Sequence, residues 1–147
     1  MKSYTDLNLV IVNKLKALVD GNSKTIFVDV YNVPETKPEG FPFAFVKDVA
    51  GQGSILDTAR NEREWQFEIQ LWQEIGKKTP EQATVIMRTI VDKVVSMFDT
   101  DPMLLVSGVA QCMKAKVVPL EFNFEIRENP FIFARFTVAC VDLVNNY

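Results

Sequence analysis

The stretch Glu64-Trp65-Gln66-Phe67-Glu68-Ile69-Gln70-Leu71-Trp72 decides the fold. Trp65, Phe67, Ile69 and Leu71 alternate with Glu64, Gln66, Glu68 and Gln70, and a strand turns successive side chains to opposite faces. The period of two predicts a strand with one buried and one wet face. Such a sheet needs cover on its apolar side only.

Downstream, Thr79-Pro80-Glu81-Gln82 supplies an N-cap, a proline at the first helical position and a capping-box partner three residues after the cap. Ala83, Ile86, Met87, Ile90, Val91, Val94, Val95 and Phe98 follow at helical spacing, and Asp99-Thr100-Asp101-Pro102 ends the run. This predicts a helix lying across the sheet. Beyond a short Met103-Leu104-Leu105 element, two alternating segments, about 110–126 and 131–144, flank Arg127-Glu128-Asn129-Pro130. They predict an antiparallel hairpin in which Phe124 faces Phe133 and Ile126 faces Phe131. Pro119 has no N–H for the ladder and marks a bulge or edge break in the first arm.

Upstream, Leu7, Val10, Ile11, Leu15, Leu18 and Val19 repeat at helical spacing between Thr5 and Asp20, with Gly21 as the stop. Thr25 to Tyr31 is rich in β-branched and aromatic residues and reads as a strand, and a second, shorter strand covers Phe43 to Lys47 after three prolines. Ala50 to Asn61 combines two glycines with polar residues, has no sustained period and reads as a long connection. The resulting order is α-β-β-β-α-β-β. It specifies an α+β fold, a mostly antiparallel sheet of about five strands with two main helices on one face, as one domain over residues 1–147.

Composition narrows the function. No apolar run approaches the roughly 20 residues of a membrane span, and Asp6 and Asn8 interrupt the apolar stretch a signal peptide would need, so a cytosolic protein is expected. Cys112 and Cys140 lie in apolar alternating segments and are expected as reduced, buried thiols. The formal net charge of -3, with no basic stripe, argues against tight DNA binding.

The chain has no histidine, which removes the commonest general base and metal ligand together with every Ser-His or Cys-His arrangement. Two cysteines without other soft ligands do not make a zinc site, and no calcium loop is present, so no metal and no cofactor are expected. Gly51-Gln52-Gly53-Ser54 lacks the lysine and following helix of a phosphate loop. Glu64 and Glu68 share one strand face with Gln66 and Gln70. Acid–base work by such carboxylates is geometrically conceivable, but a solvated face or a subunit contact is the simpler reading. Asp29 reads as a rim or interface carboxylate, and Lys114, Lys116 and Arg135 as ordinary surface charge or a small basic patch.

Three further segments join these elements in a recognisable order. Gly40-Phe41-Pro42-Phe43-Ala44-Phe45-Val46 enters a strand through proline. Asp57-Thr58-Ala59-Arg60-Asn61-Glu62-Arg63 leads into Trp65-Gln66-Phe67-Glu68-Ile69. Asp99-Thr100-Asp101-Pro102-Met103-Leu104 precedes the closing hairpin. Over nearly its whole length the chain resembles the tail terminator (tail completion) proteins of long-tailed bacteriophages.

The resemblance implies a non-enzymatic virion protein, assembled in the host bacterial cytoplasm and located in the virion tail. Such a protein forms a homo-oligomeric ring, expected as a hexamer, that caps the last ring of the tail tube, stops tube polymerisation and presents a surface for head attachment. The implied partners are the chain itself, the tail tube protein and a head completion or neck protein, with DNA only as passing cargo. A ring needs a heterologous interface that closes, and an acidic lumen would not hold phosphates. In that setting Gln52, Ser54, Asp57 and Arg60 of the 50–61 segment are candidates for contact with the tube or the lumen, and Glu64, Gln66, Glu68 and Gln70 for the subunit interface. Two alternatives remain: another head-tail joining or neck protein, and a small-molecule-binding α+β domain using Asp29, Glu64 and Glu68.

Overall fold

The computed structural model describes residues 4–33, 39–49, 52–55, 60–125 and 131–145. Its elements run α1 (Tyr4–Lys16), β1 (Asp29–Tyr31), β2 (Phe43–Asp48), β3 (Gln52–Ile55), β4 (Arg60–Glu74), α2 (Pro80–Thr100), β5 (Lys114–Glu125) and β6 (Phe131–Asn145). Five strands lie side by side in the order β1-β2-β4-β6-β5, and β3 pairs with β4 off this path. β1 runs parallel to β2, and the other pairings are antiparallel. The fold is the expected α+β arrangement.

β4 and β6 form the spine, in register from Arg60 opposite Asn145 to Glu74 opposite Phe131. Along β4 the residues Trp65, Phe67, Ile69 and Leu71 are buried, as the alternation predicts, and on β6 the buried set is Ile132, Ala134, Phe136, Val138 and Cys140. Leu7, Ile11, Val12 and Leu15 of α1 and Ala83, Met87, Ile90, Val91, Val94 and Phe98 of α2 join the same core. Both helices therefore cover one face. Among the described residues, no helix is long and apolar enough to cross a membrane.

The start of α2 is built as its sequence predicts. The Thr79 side chain accepts from the Gln82 backbone N–H at 3.2 Å, and the Thr79 backbone N–H donates to Gln82 Oε1 at 3.1 Å. Cys112 and Cys140 are free, buried thiols, linked by a side-chain hydrogen bond that lowers Cys112 and, together with burial, raises Cys140.

Four expectations need correction. The first strand is confined to Asp29–Tyr31, because Ile26 donates its N–H back to the Leu18 carbonyl and Val28 donates to Pro42, drawing residues 25–28 out of the ladder. α1 ends at Lys16, and Val19 is exposed, bridged instead to Thr25. The segment 50–61 is not simply a connection: Gln52–Ile55 forms β3 against Glu64 to Asn61, and β4 already begins at Arg60. Pairing with a long neighbouring strand imposes extended backbone on a segment of weak intrinsic preference. In the closing hairpin Phe124 lies opposite Ile132, Asn123 opposite Phe133 and Glu125 opposite Phe131. The observed register differs from the expected one by a single residue, which changes every partner, and Ile126 lies outside the described residues. The irregularity at Pro119 is present, between Pro119 and Glu121 on the edge strand β5.

Candidate functional site

The face of the sheet away from the helices divides into a polar half and an aromatic half. Glu64, Gln66, Glu68 and Gln70 occupy the polar half, each half-buried. They satisfy one another along the strand. Gln66 Nε2 donates to Glu64 Oε2 at 3.1 Å, Gln70 Nε2 to Glu68 Oε2 at 2.8 Å, and Trp72 Nε1 to Gln70 Oε1 at 3.3 Å. Arg135 of β6 reaches across to Glu68 Oε1 at 3.2 Å. A row whose donors and acceptors already pair within the chain is a weak source of new hydrogen bonds to a subunit. Lys114 and Lys116 stand exposed at the same end of this face, opposite Val141 and Ala139.

The aromatic half lies at the other end of the spine. Phe43, Trp72 and Phe133 are register neighbours on three adjacent strands. Their rings stack: Phe43 on Trp72 with centroids 6.0 Å apart and planes at 10°, and Trp72 on Phe133 at 4.7 Å and 24°. Phe131 meets Trp72 edge-on at 4.9 Å, while Tyr31 and Phe41 close the cluster against Phe43 at 5.7 and 5.3 Å. Stacked cross-strand neighbours turn their faces to each other and their rims outward.

This half was not singled out from sequence. The signal lay in Trp72, the first even-numbered apolar residue of β4 after a polar series, and in Phe131 and Phe133, which make β6 apolar on both faces at its start.

The other candidates are dispersed. Gln52 pairs in register with Glu64 and Ser54 with Glu62, while Arg60 lies opposite Asn145, so these three belong to the sheet. Asp57 lies outside the described residues. Asp29 uses Oδ1 to accept the Val30 N–H at 2.8 Å. It sits opposite Phe43, level with Trp72, whereas Glu64 and Glu68 are separated by four strand residues, about 13 Å of rise. The three carboxylates do not converge on one point. An open cleft lined by Lys78, Glu81, Gln82, Val85 and Ile86 lies instead along the first turns of α2. Among the described residues, no group of three or more potential ligands could hold a metal ion.

A second apolar surface lies between α2 and β5. Val106 and Val109 exchange both backbone hydrogen bonds at 2.9 Å around Ser107 and Gly108, whose φ angles are 51° and 80°. Positive φ at both central residues is the signature of a tight two-residue hairpin turn. Met103, Leu105, Val106, Val109 and Met113 are all exposed around it, Val109 the most at 62%. The finger is braced: Lys14 Nζ donates to the Leu105 carbonyl at 2.7 Å, the Leu105 N–H donates to Asp101 Oδ1 at 2.9 Å, and Leu104 is fully buried beneath.

No family model matches the chain, and no curated protein matches it.

Proposed function

We propose that this chain is a non-enzymatic assembly protein that closes into a ring on the end of a bacteriophage tail tube, stops the tube from growing and presents a surface to which the head attaches. The observation that carries the assembly half of this reading is the aromatic half of the sheet face away from the helices. Aromatic residues are enriched at protein–protein contacts, and here the rings, buried or half-buried, are already packed on one another. The tail-terminator half rests on the ordered sequence pattern. The dispersal of Asp29, Glu64 and Glu68 counts against the small-molecule alternative, since a binding site needs convergent polar groups in a concavity.

The test adds the purified chain to polymerising tail tube protein encoded beside it and measures tube length by electron microscopy. Shortened tubes bearing a ring at one end are expected. Unchanged tube lengths with no bound chain would refute the reading, and binding only to a head-side connector would reassign the chain as a neighbouring neck protein.

A further inference from the structure

We infer that Cys112 and Cys140 form an oxidation site, a pair of thiols that a low-molecular-weight disulfide converts into an intrachain disulfide, fastening the segment that carries the Val106–Val109 finger to the spine of the sheet. The chemistry is independent of the tail reading, on which only its biological setting rests.

The two sulfurs meet because of how the chain enters β5. Lys114 pairs in register with Val141 and Ala115 with Cys140, yet Met113 also donates its N–H to the Val141 carbonyl at 2.9 Å. This side of the ladder therefore carries one residue more than β6, as in a bulge. Cys112 is buried together with Ala115 and Cys140. There the Cys140 thiol donates to the Cys112 sulfur, and the Cys112 thiol donates to the Pro102 carbonyl at 3.7 Å. Neighbouring strands lie about 4.7–4.9 Å apart, inside the roughly 4.4–6.8 Å that a disulfide spans between Cα atoms. Closure asks for side-chain rotation, not for a new backbone path.

The two thiols differ in how they are reached. Cys112 ends an irregular segment, 101–113, in which only Leu104, Gln111 and Cys112 are buried, and such a segment opens locally at less cost than a core strand. Cys140 lies on β6, flanked by β4 and β5. The bond from Cys140 also holds the Cys112 thiol below its ordinary range, and the thiolate is the nucleophile. Cys112 therefore attacks first, taking one sulfur of the small disulfide and releasing the other half as a thiolate. Cys140 then gives up its proton, attacks the Cys112 sulfur and expels the second thiolate. The chain loses two electrons and two protons, and the small disulfide is reduced to two thiols. The new bond holds the far end of the finger's segment on β6, while the Lys14–Asp101 pair holds the near end. A host cytoplasm keeps thiols reduced and the surroundings of a released virion do not, so in the tail setting assembly comes before locking.

The test incubates the full chain with oxidised and reduced glutathione at a series of ratios, traps free thiols with iodoacetamide and reads intact mass and peptide maps, with circular dichroism confirming the fold of each variant. Wild type should lose two hydrogens per chain, take up no label, join the Cys112 and Cys140 peptides within one chain and melt at a higher temperature than its reduced form. Cys140→Ala should stop at a glutathione adduct on Cys112, and Cys112→Ser should leave Cys140 unreacted. Lys14→Ala, which loosens the segment, should speed the pairing several-fold. Folded wild type that keeps two free thiols in excess oxidised glutathione, pairing that appears only in denaturant, or disulfides that join separate chains only would each overturn the inference. A Cys112→Ser protein that reacts as fast as wild type, or an unchanged rate in Lys14→Ala, overturns the order of attack and the way in. An intrachain bond in a protein that leaves tubes uncapped keeps the site and removes its setting.

Discussion

Lys14 Nζ lies 2.6 Å from Asp101 Oδ2, joining the last turn of α1 to the end of α2. Asp101 also accepts the Leu105 N–H through its other oxygen, so one carboxylate fastens two helices and the base of the apolar finger. Burial opposes its ionisation, but the Leu105 N–H and the Lys14 ammonium outweigh that and hold its carboxyl below the ordinary aspartate range. A depressed folded-state pKa stabilises the protein above the unfolded value, and that contribution is lost as the pH falls through the folded one. Asp101→Asn should therefore cost about 1–2 kcal/mol near neutral pH. The gap from wild type should shrink as the pH is lowered from about 5 towards 2. Urea denaturation across that range checks it, and a constant gap would count against the assigned role.

Gly108 holds a φ of 80° with nothing within 4 Å of where a Cβ would stand. A side chain there meets backbone strain and no steric wall, so Gly108→Ala should cost about 1 kcal/mol. Ser107, already at φ 51°, should tolerate replacement by Asn or Gly with little loss. Thermal denaturation separates the two positions, and equal effects at both would mean that the turn is not the rigid feature described.

The fold was legible because its decisive signals are local. The alternation through Trp65 and Leu71 and the Thr79–Gln82 cap each declare themselves within a few residues. Register was not legible in the same way: whether Phe133 stands opposite Asn123 or Phe124 turns on a single residue, and no periodicity records it. β3 was missed because Gln52 and Ser54 have little strand preference of their own and owe their conformation to β4. The aromatic cluster was missed for a related reason. Phe43, Trp72 and Phe133 lie far apart in sequence and become neighbours only once three strands are aligned.

The capping box at Thr79 offers a clean measure of what local sequence contributes. Thr79→Ala removes an acceptor for the Gln82 N–H on an exposed helix start, an expected loss of about 1 kcal/mol. Gln82→Ala removes the reciprocal bond to the Thr79 N–H. Because the two bonds fix the same turn, the double variant should lose less than the sum of the single ones. Chemical denaturation of the four proteins in the cycle decides it, and strict additivity would mean that the two bonds act independently.

Phe67 and Trp72 lie on the same strand but on opposite faces, and their truncation should separate stability from assembly. Phe67 is fully buried beneath the helices and packs edge-on against Tyr4 at 5.5 Å. Phe67→Ala should cost about 3–5 kcal/mol, since the helices above cannot collapse into the space. Trp72 is half-buried between Phe43 and Phe133. Trp72→Ala loses ring contacts worth about 0.5–1.5 kcal/mol each beyond their area, and solvent can fill the gap, so the folded chain should survive. Its assembly should not, because a central aromatic anchor carries a disproportionate share of interface energy. Denaturation curves read beside sedimentation profiles test both halves at once. A Trp72→Ala protein that assembles normally would show the rings to be a structural cluster, with no part in joining one copy to the next.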